Sequence, residues 1–255
     1  YDDCARAHDF RYRQQLRLRD ERRSSTLASG TAVHYVVETL CRDFSGHVPV
    51  GADVRLRAEE CLVDEFRNDD DGGGKNVKRF LPGVIRAVSR VPEWVWLGDW
   101  LVETDIIGHF SGDSGATDVE LHGRPDMFRL IDDEAPSVEI VDAKTTDHDP
   151  LDFVLWTPQV RMYAACLQQQ WPERLIVYRY MCLPTGAKDT APEPTMFVYT
   201  AAVAEVTRAE ILLLARKLAL GPTRTTNGVL DEHRYSRRCS YCDYASICKA
   251  VITGA

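Results

Sequence analysis

Asp126, Asp142 and Lys144 are the residues of this 255-residue chain whose types and spacing most directly imply chemistry. They lie in Gly123-Arg124-Pro125-Asp126 and in Val138-Glu139-Ile140-Val141-Asp142-Ala143-Lys144. Two residues apart in an apolar, strand-like run, Asp142 and Lys144 fall on one face of that strand. A buried charge without a partner is costly, so an apolar strand that ends in two charges needs compensation. A divalent cation provides it. Two carboxylates suit a hard ion such as Mg²⁺ or Mn²⁺, and a neighbouring lysine can position or activate an attacking water. Phosphodiester hydrolysis needs these parts: neutralised phosphate charge, a nucleophile at neutral pH and a stabilised leaving oxygen.

The elements that must position these residues are set by periodicity. Residues 27–45 place Val33, Val37, Leu40, Cys41 and Phe44 at helical spacing, with His34 and Glu38 one turn apart. Further helices are expected over 54–66 and 77–88, the latter open to interruption at Pro82. The pattern then alternates and turns β-branched and aromatic, which predicts strands over 94–107, 118–131 and 137–145. A helix over 151–169 carries Gln159 and Tyr163 four residues apart on one face. Strands over 175–183 and 195–202 and a helix over 206–220 complete an α/β fold with a mixed central sheet flanked by helices. The whole chain is expected to form one domain: a helical part at 1–90, an α/β core at 91–220 and a cysteine-bearing segment at 221–255. Glu38 and Glu103 are possible extra acids, set aside because solvent-facing or salt-bridged roles account for both.

Eight cysteines are present, and Cys239, Cys242 and Cys248 form a Cys-x2-Cys-x5-Cys cluster. Three thiolates within ten residues are a good start for a metal site that needs a fourth ligand. Cys41 falls on the apolar helix face and reads as core. The net charge of −8 argues against a protein that coats nucleic acid through its overall field, though not against a local grip. Arginines at 6, 11, 13, 17, 19, 22 and 23 are either a solvated helix face or phosphate contacts. No apolar run is long enough to span a membrane. The first residues are charged and carry no signal core, so a cytoplasmic location is expected.

Pro125-Asp126 with Asp142-Ala143-Lys144 resembles the signature of the PD-(D/E)XK nuclease superfamily in its aspartate form. Gln159-Val160-Arg161-Met162-Tyr163 resembles the Gln-x3-Tyr motif of the RecB-like branch, and Gly30-Thr31-Ala32-Val33-His34 its histidine motif. The segment Cys4-Ala5-Arg6-Ala7-His8 resembles the stretch after the first cysteine of iron–sulfur members of that branch, the AddB type and the CRISPR-associated exonucleases. Its usual proline is Ala5 here. The resemblance implies a restriction-endonuclease-like core in which His34, Asp126, Asp142 and the Ala143 carbonyl hold the metal. Lys144 would act on water or phosphate, and Gln159 and Tyr163 would hold the site and the nucleic acid.

It further implies that Cys4, Cys239, Cys242 and Cys248 clasp the chain ends around a 4Fe-4S cluster. Zinc is the alternative occupant of four thiolates. The activity implied is a DNA exonuclease acting from ends with a single-strand preference, phage-encoded or CRISPR-associated. The alternative is a non-catalytic or partner-dependent subunit of a recombination or CRISPR-adaptation complex.

Overall fold

The computed structural model describes residues 25–44, 46–67, 74–112, 118–146, 158–187 and 193–220. Two compact units emerge, one made of Arg23–Phe110 with Glu120–Ala209, the other of Tyr1–Arg22, Ser111–Val119 and Glu210–Ala255. Most of the second unit lies outside the described residues, as do the basic N-terminal segment, Cys4 and the Cys239–Cys242–Cys248 cluster. The first unit carries Asp126, Asp142 and Lys144.

Three helices come first: α1 (Ser25–Asp43), α2 (Gly51–Glu65) and α3 (Gly74–Val88). Their apolar stripes meet in one core, in which Val33, Val36, Val37, Leu40, Ala58, Leu62 and Val84 are buried. Cys41 and Cys61 are buried free thiols, the core role expected of Cys41. Pro82 lies inside α3 without ending it. The buried face Val77, Leu81, Val84, Ala87 and Val88 offsets the roughly 3 kcal/mol that an interior proline costs.

The expected strand over 94–107 is corrected. Its first part is a short helix, α4 (Glu93–Trp96), followed by β1 (Leu101–Val102) and β2 (Ile106–Ser111). Pro92 precedes the helix in extended conformation, and the buried Val95 and Trp96 hold it to the core. The expected strand over 118–131 is also two, β3 (Asp118–Gly123) and β4 (Met127–Ile131). β5 (Ser137–Lys144), α5 (Pro158–Gln170), β6 (Leu175–Cys182), β7 (Thr195–Tyr199) and α6 (Ala201–Leu220) complete the order.

The five-stranded sheet has the order β1-β4-β5-β6-β7. All neighbours are antiparallel except β5 and β6, a parallel pair whose crossover includes α5. β5 is central and buried along almost its whole length, which explains its continuous apolar run. On one face Val141 and Ala143 join the helical core. β2 and β3 form a separate two-stranded sheet, tied to α5 where Gln169 accepts from the His109 amide at 2.7 Å and donates to the His109 carbonyl at 2.7 Å.

Glu139 is a buried acid in the middle of β5, only 1% exposed. Arg129 reaches it from β4 at 2.5 Å, and Arg179 reaches it from β6. Each guanidinium also lies over an indole, Arg129 over Trp100 at 4.4 Å and Arg179 over Trp94 at 5.2 Å.

Candidate active site

Three segments converge at the C-terminal end of β5. The first is α1. Its glycine at position 30 allows close approach to that strand end, because an added Cβ would lie 3.1 Å from the Thr145 hydroxyl. The core stripe of α1 faces α2 and α3, leaving His34 and Glu38, one turn apart, half-buried beside it.

The second segment is the break between β3 and β4. Asp126 lies in this break, one residue before β4, and not within a strand as its alternating neighbours predict. Released from the pleat, its carboxylate Oδ2 accepts a hydrogen bond from the Ala143 amide at 2.8 Å and lies 3.3 Å from His34 Nδ1.

β5 itself supplies the third part. Asp142 and Lys144 share a face, as their spacing requires, with Lys144 Nζ 2.6 Å from Asp142 Oδ2. Asp142 is 2% exposed, and with Oδ2 engaged by Lys144 its Oδ1 has no hydrogen-bond partner. Lys144 therefore balances the charge of Asp142 but leaves Oδ1 unsatisfied.

His34, Glu38 and Asp126 each offer a ligand atom, and these atoms lie within 4.8 Å of one another. A nitrogen and two carboxylates form a donor set for a divalent cation. The unsatisfied Asp142 Oδ1 is what a buried carboxylate shows when its further partner is a metal. The residues present therefore fit the implied ion. The structure brings His34, Asp126, Asp142, Ala143 and Lys144 into one place. Glu38, set aside on sequence grounds, joins them, and the only signal for it was its position one turn after His34.

Burial and charge split the two aspartates. Burial and the neighbouring Asp126 charge push Asp142 up to about 6, and Lys144 only partly opposes them. Burial also acts upward on Asp126, but the His34 hydrogen bond, the His34 and Lys144 charges and the Ala143 amide outweigh it and hold Asp126 below its ordinary value. Burial pulls Lys144 down, whereas the charges of Asp142 and Asp126 pull harder and raise it. Lys144 thus stays a cation at neutral pH. Glu38 is raised to about 7, by burial first and then by the carboxyl of Glu103.

Gln159 and Tyr163 meet the site through its backbone. The Gln159 amide donates to the Tyr163 hydroxyl at 2.9 Å, and that hydroxyl donates to the Arg124 carbonyl at 2.9 Å. The pair pins the backbone two residues before Asp126. Gly123 makes this possible, since an added Cβ would sit 2.7 Å from the Tyr163 ring. Gly123→Ala is expected to displace that ring and lower stability by about 1–3 kcal/mol. Catalysis should fall with it, and adding Tyr163→Leu should return much of the lost stability by vacating the space. Thermal melts of the single and double variants check this.

The chain matches the family model of the PD-(D/E)XK nuclease superfamily over residues 1–249. Among solved structures, one described as "Crystal structure of SSO0001" is similar at 15% identity, covering 87% of this chain and 97% of that one, with a TM-score of 0.40. No curated protein matches the chain. Members of the matched superfamily are typically metal-dependent nucleases. By the extent of that match, the chain belongs to the PD-(D/E)XK nuclease superfamily.

Proposed function

We propose that this chain is a metal-dependent deoxyribonuclease that hydrolyses phosphodiester bonds from DNA ends, with a preference for single strands. The observation that carries the nuclease assignment is the buried Asp142 carboxylate, paired with Lys144 on Oδ2 and unsatisfied on Oδ1, set beside Asp126 and His34 in a chain of this family. His34, Asp126, Asp142 and the Ala143 carbonyl would hold Mg²⁺ or Mn²⁺, with Glu38 as an added ligand. A bound divalent ion supplies charge neutralisation at the phosphate and lowers the pKa of water.

The Asp142 and Asp126 charges favour the protonated form of Lys144, which suits a cation that orients water and stabilises negative charge on the phosphate. Gln159 and Tyr163 hold the Arg124 carbonyl, and through it the segment that presents Asp126. End preference and strand preference rest on the RecB-like resemblance of the histidine and Gln-x3-Tyr motifs. The same resemblance supports a 4Fe-4S cluster on Cys4, Cys239, Cys242 and Cys248. Anaerobically purified protein should then be brown, whereas a zinc-filled site is colourless.

End-labelled single- and double-stranded DNA incubated with the protein and Mn²⁺, beside Asp142→Ala, tests the activity. Wild type should shorten the DNA progressively and the variant should leave it intact. Cutting that survives the substitution contradicts the assigned site. Binding without cutting by either protein favours a DNA-binding or partner-dependent subunit.

A further inference from the structure

The loop that continues β6 is clamped to α3 through its carbonyl groups. Arg86 donates from Nε and Nη2 to the Thr185 carbonyl at 3.3 and 2.9 Å. Arg90, four residues on, donates from Nη1 to the Pro184 carbonyl and from Nη2 to the Gly186 carbonyl at 3.2 Å. The loop lies directly on the helix, since a Cβ added at Gly83 would sit 3.3 Å from the Thr185 carbonyl oxygen.

The carbonyls of Pro184, Thr185 and Gly186 thus point toward α3, and that fixes where the following amides point. A trans peptide holds its C=O and N–H in opposite directions, and no peptide among the described residues is cis. The amides of Thr185, Gly186 and Ala187 therefore face away from α3. None of them donates a hydrogen bond among the described residues. Thr185 and Gly186 are half-buried and Ala187 is exposed, so the open side is reachable.

The charges of this arrangement favour an anion. Carbonyls are neutral, so the clamp leaves both guanidinium charges in place behind the loop. The positive ends of the successive peptide dipoles face outward in front of them. Amides turned to one side in this way form a concavity that takes an anion.

The loop also starts beside the candidate active site. Cys182 is paired with Lys144 in the parallel ladder, and the Leu183 amide donates to the Lys144 carbonyl at 2.7 Å. Thr185 follows Cys182 within about 10 Å of extended chain. We infer that the Thr185, Gly186 and Ala187 amides bind a phosphate of the DNA strand, one that flanks the phosphate being cut. The inference rests on the proposed nuclease activity and adds a subsite that needs neither the metal nor a base contact.

Amide NMR of the wild-type protein in chelator, where a metal-dependent enzyme cuts nothing, reads these groups directly. A short single-stranded oligonucleotide should shift the Thr185, Gly186 and Ala187 amide signals. The same oligonucleotide with uncharged methylphosphonate linkages should not. Ala187→Pro removes one donor and keeps the clamped carbonyls, and it should bind single-stranded DNA about tenfold more weakly.

Amides that stay silent while the oligonucleotide binds overturn the inference, as does an Ala187→Pro variant that folds and binds like wild type. Shifts with inorganic phosphate but not with the oligonucleotide mark a small-anion site and overturn the assignment to DNA. Silent amides in protein that cuts DNA with Mn²⁺ remove the subsite alone. Shifted amides in protein that cuts nothing remove the nuclease reading and leave the phosphate site standing.

Discussion

Replacing Asp142 by Asn is expected to end DNA cutting and, in the metal-free protein, to raise the melting temperature. The two effects share one cause. Asp142 is buried, has only Lys144 as a partner and is close to Asp126, and its carboxyl is pushed from 3.8 up to about 6. Holding the charged form in the folded chain therefore costs about 3 kcal/mol at neutral pH. Asparagine removes that charge, and Asp126 remains to balance Lys144. Part of the gain is lost because Lys144 gives up its nearest partner, so a net stabilisation of about 1–3 kcal/mol is expected.

The same values set the pH window. The folded chain keeps a proton on Asp142 until about pH 6, and the unfolded chain loses it near 3.8. Wild-type stability thus falls as pH rises through that window and stays lower above it. The advantage of Asp142→Asn should be small at about pH 4 and complete above about pH 7. For a chain of this size each kcal/mol moves the melting temperature by about 2–4 °C. Added Mn²⁺ should reverse the order, stabilising wild type through binding and leaving the variant unchanged. Cutting should drop by more than about 100-fold, beyond the cost of losing an outer-shell partner. Melts in chelator at both pH values provide the check. An equal difference at both, or none, contradicts the assigned burden on Asp142.

Glu139→Ala is expected to be the most damaging single substitution in the sheet. Glu139 sits at the centre of β5, nearly inaccessible, with Arg129 and Arg179 converging on it. Removing one partner of a buried ion pair costs about 3–5 kcal/mol, because the other charges are left uncompensated. Arg129 and Arg179 are 26% and 33% exposed, so each can turn partly to water, which brings the expected loss to about 2–4 kcal/mol. Replacing all three by apolar residues of similar volume, Arg129→Met, Glu139→Leu and Arg179→Met, should restore most of the lost stability. Urea denaturation midpoints of the single and triple variants test this. A triple variant weaker than Glu139→Ala contradicts it. Glu139 points away from Asp142, so Mn²⁺ affinity of the folded single variant should match wild type.

Much of the site was legible in the sequence because its parts are local. Asp142 and Lys144 share a face through the two-residue repeat of a strand, and β5 declared itself by an apolar run suited to a buried central position. The α1 stripe and the four-residue spacing of Gln159 and Tyr163 likewise depend only on helix geometry.

The features that were not legible depend on tertiary placement. Alternation from Asp118 to Ile131 runs straight through the break at Arg124–Asp126, and only Gly123 and Pro125 mark it. The aromatic residues Trp94 and Trp96 read as strand, whereas packing against the core makes them a helical turn. Gln159 and Tyr163 share a face as expected, yet their bonds run to the Arg124 backbone, a contact that no spacing encodes. Glu38 and Glu103 look like surface acids until the fold brings them beside His34 and Asp126.

A catalytic cation held by His34, Asp126 and Asp142 is the centre of the proposed chemistry. Anomalous scattering from Mn²⁺-soaked crystals of the wild-type protein tests it most directly. A peak within about 2.0–2.3 Å of a His34 nitrogen and of carboxylate oxygens of Asp126 and Asp142 is predicted. A peak that avoids Asp142, or none in protein that still cuts DNA with Mn²⁺, would contradict it.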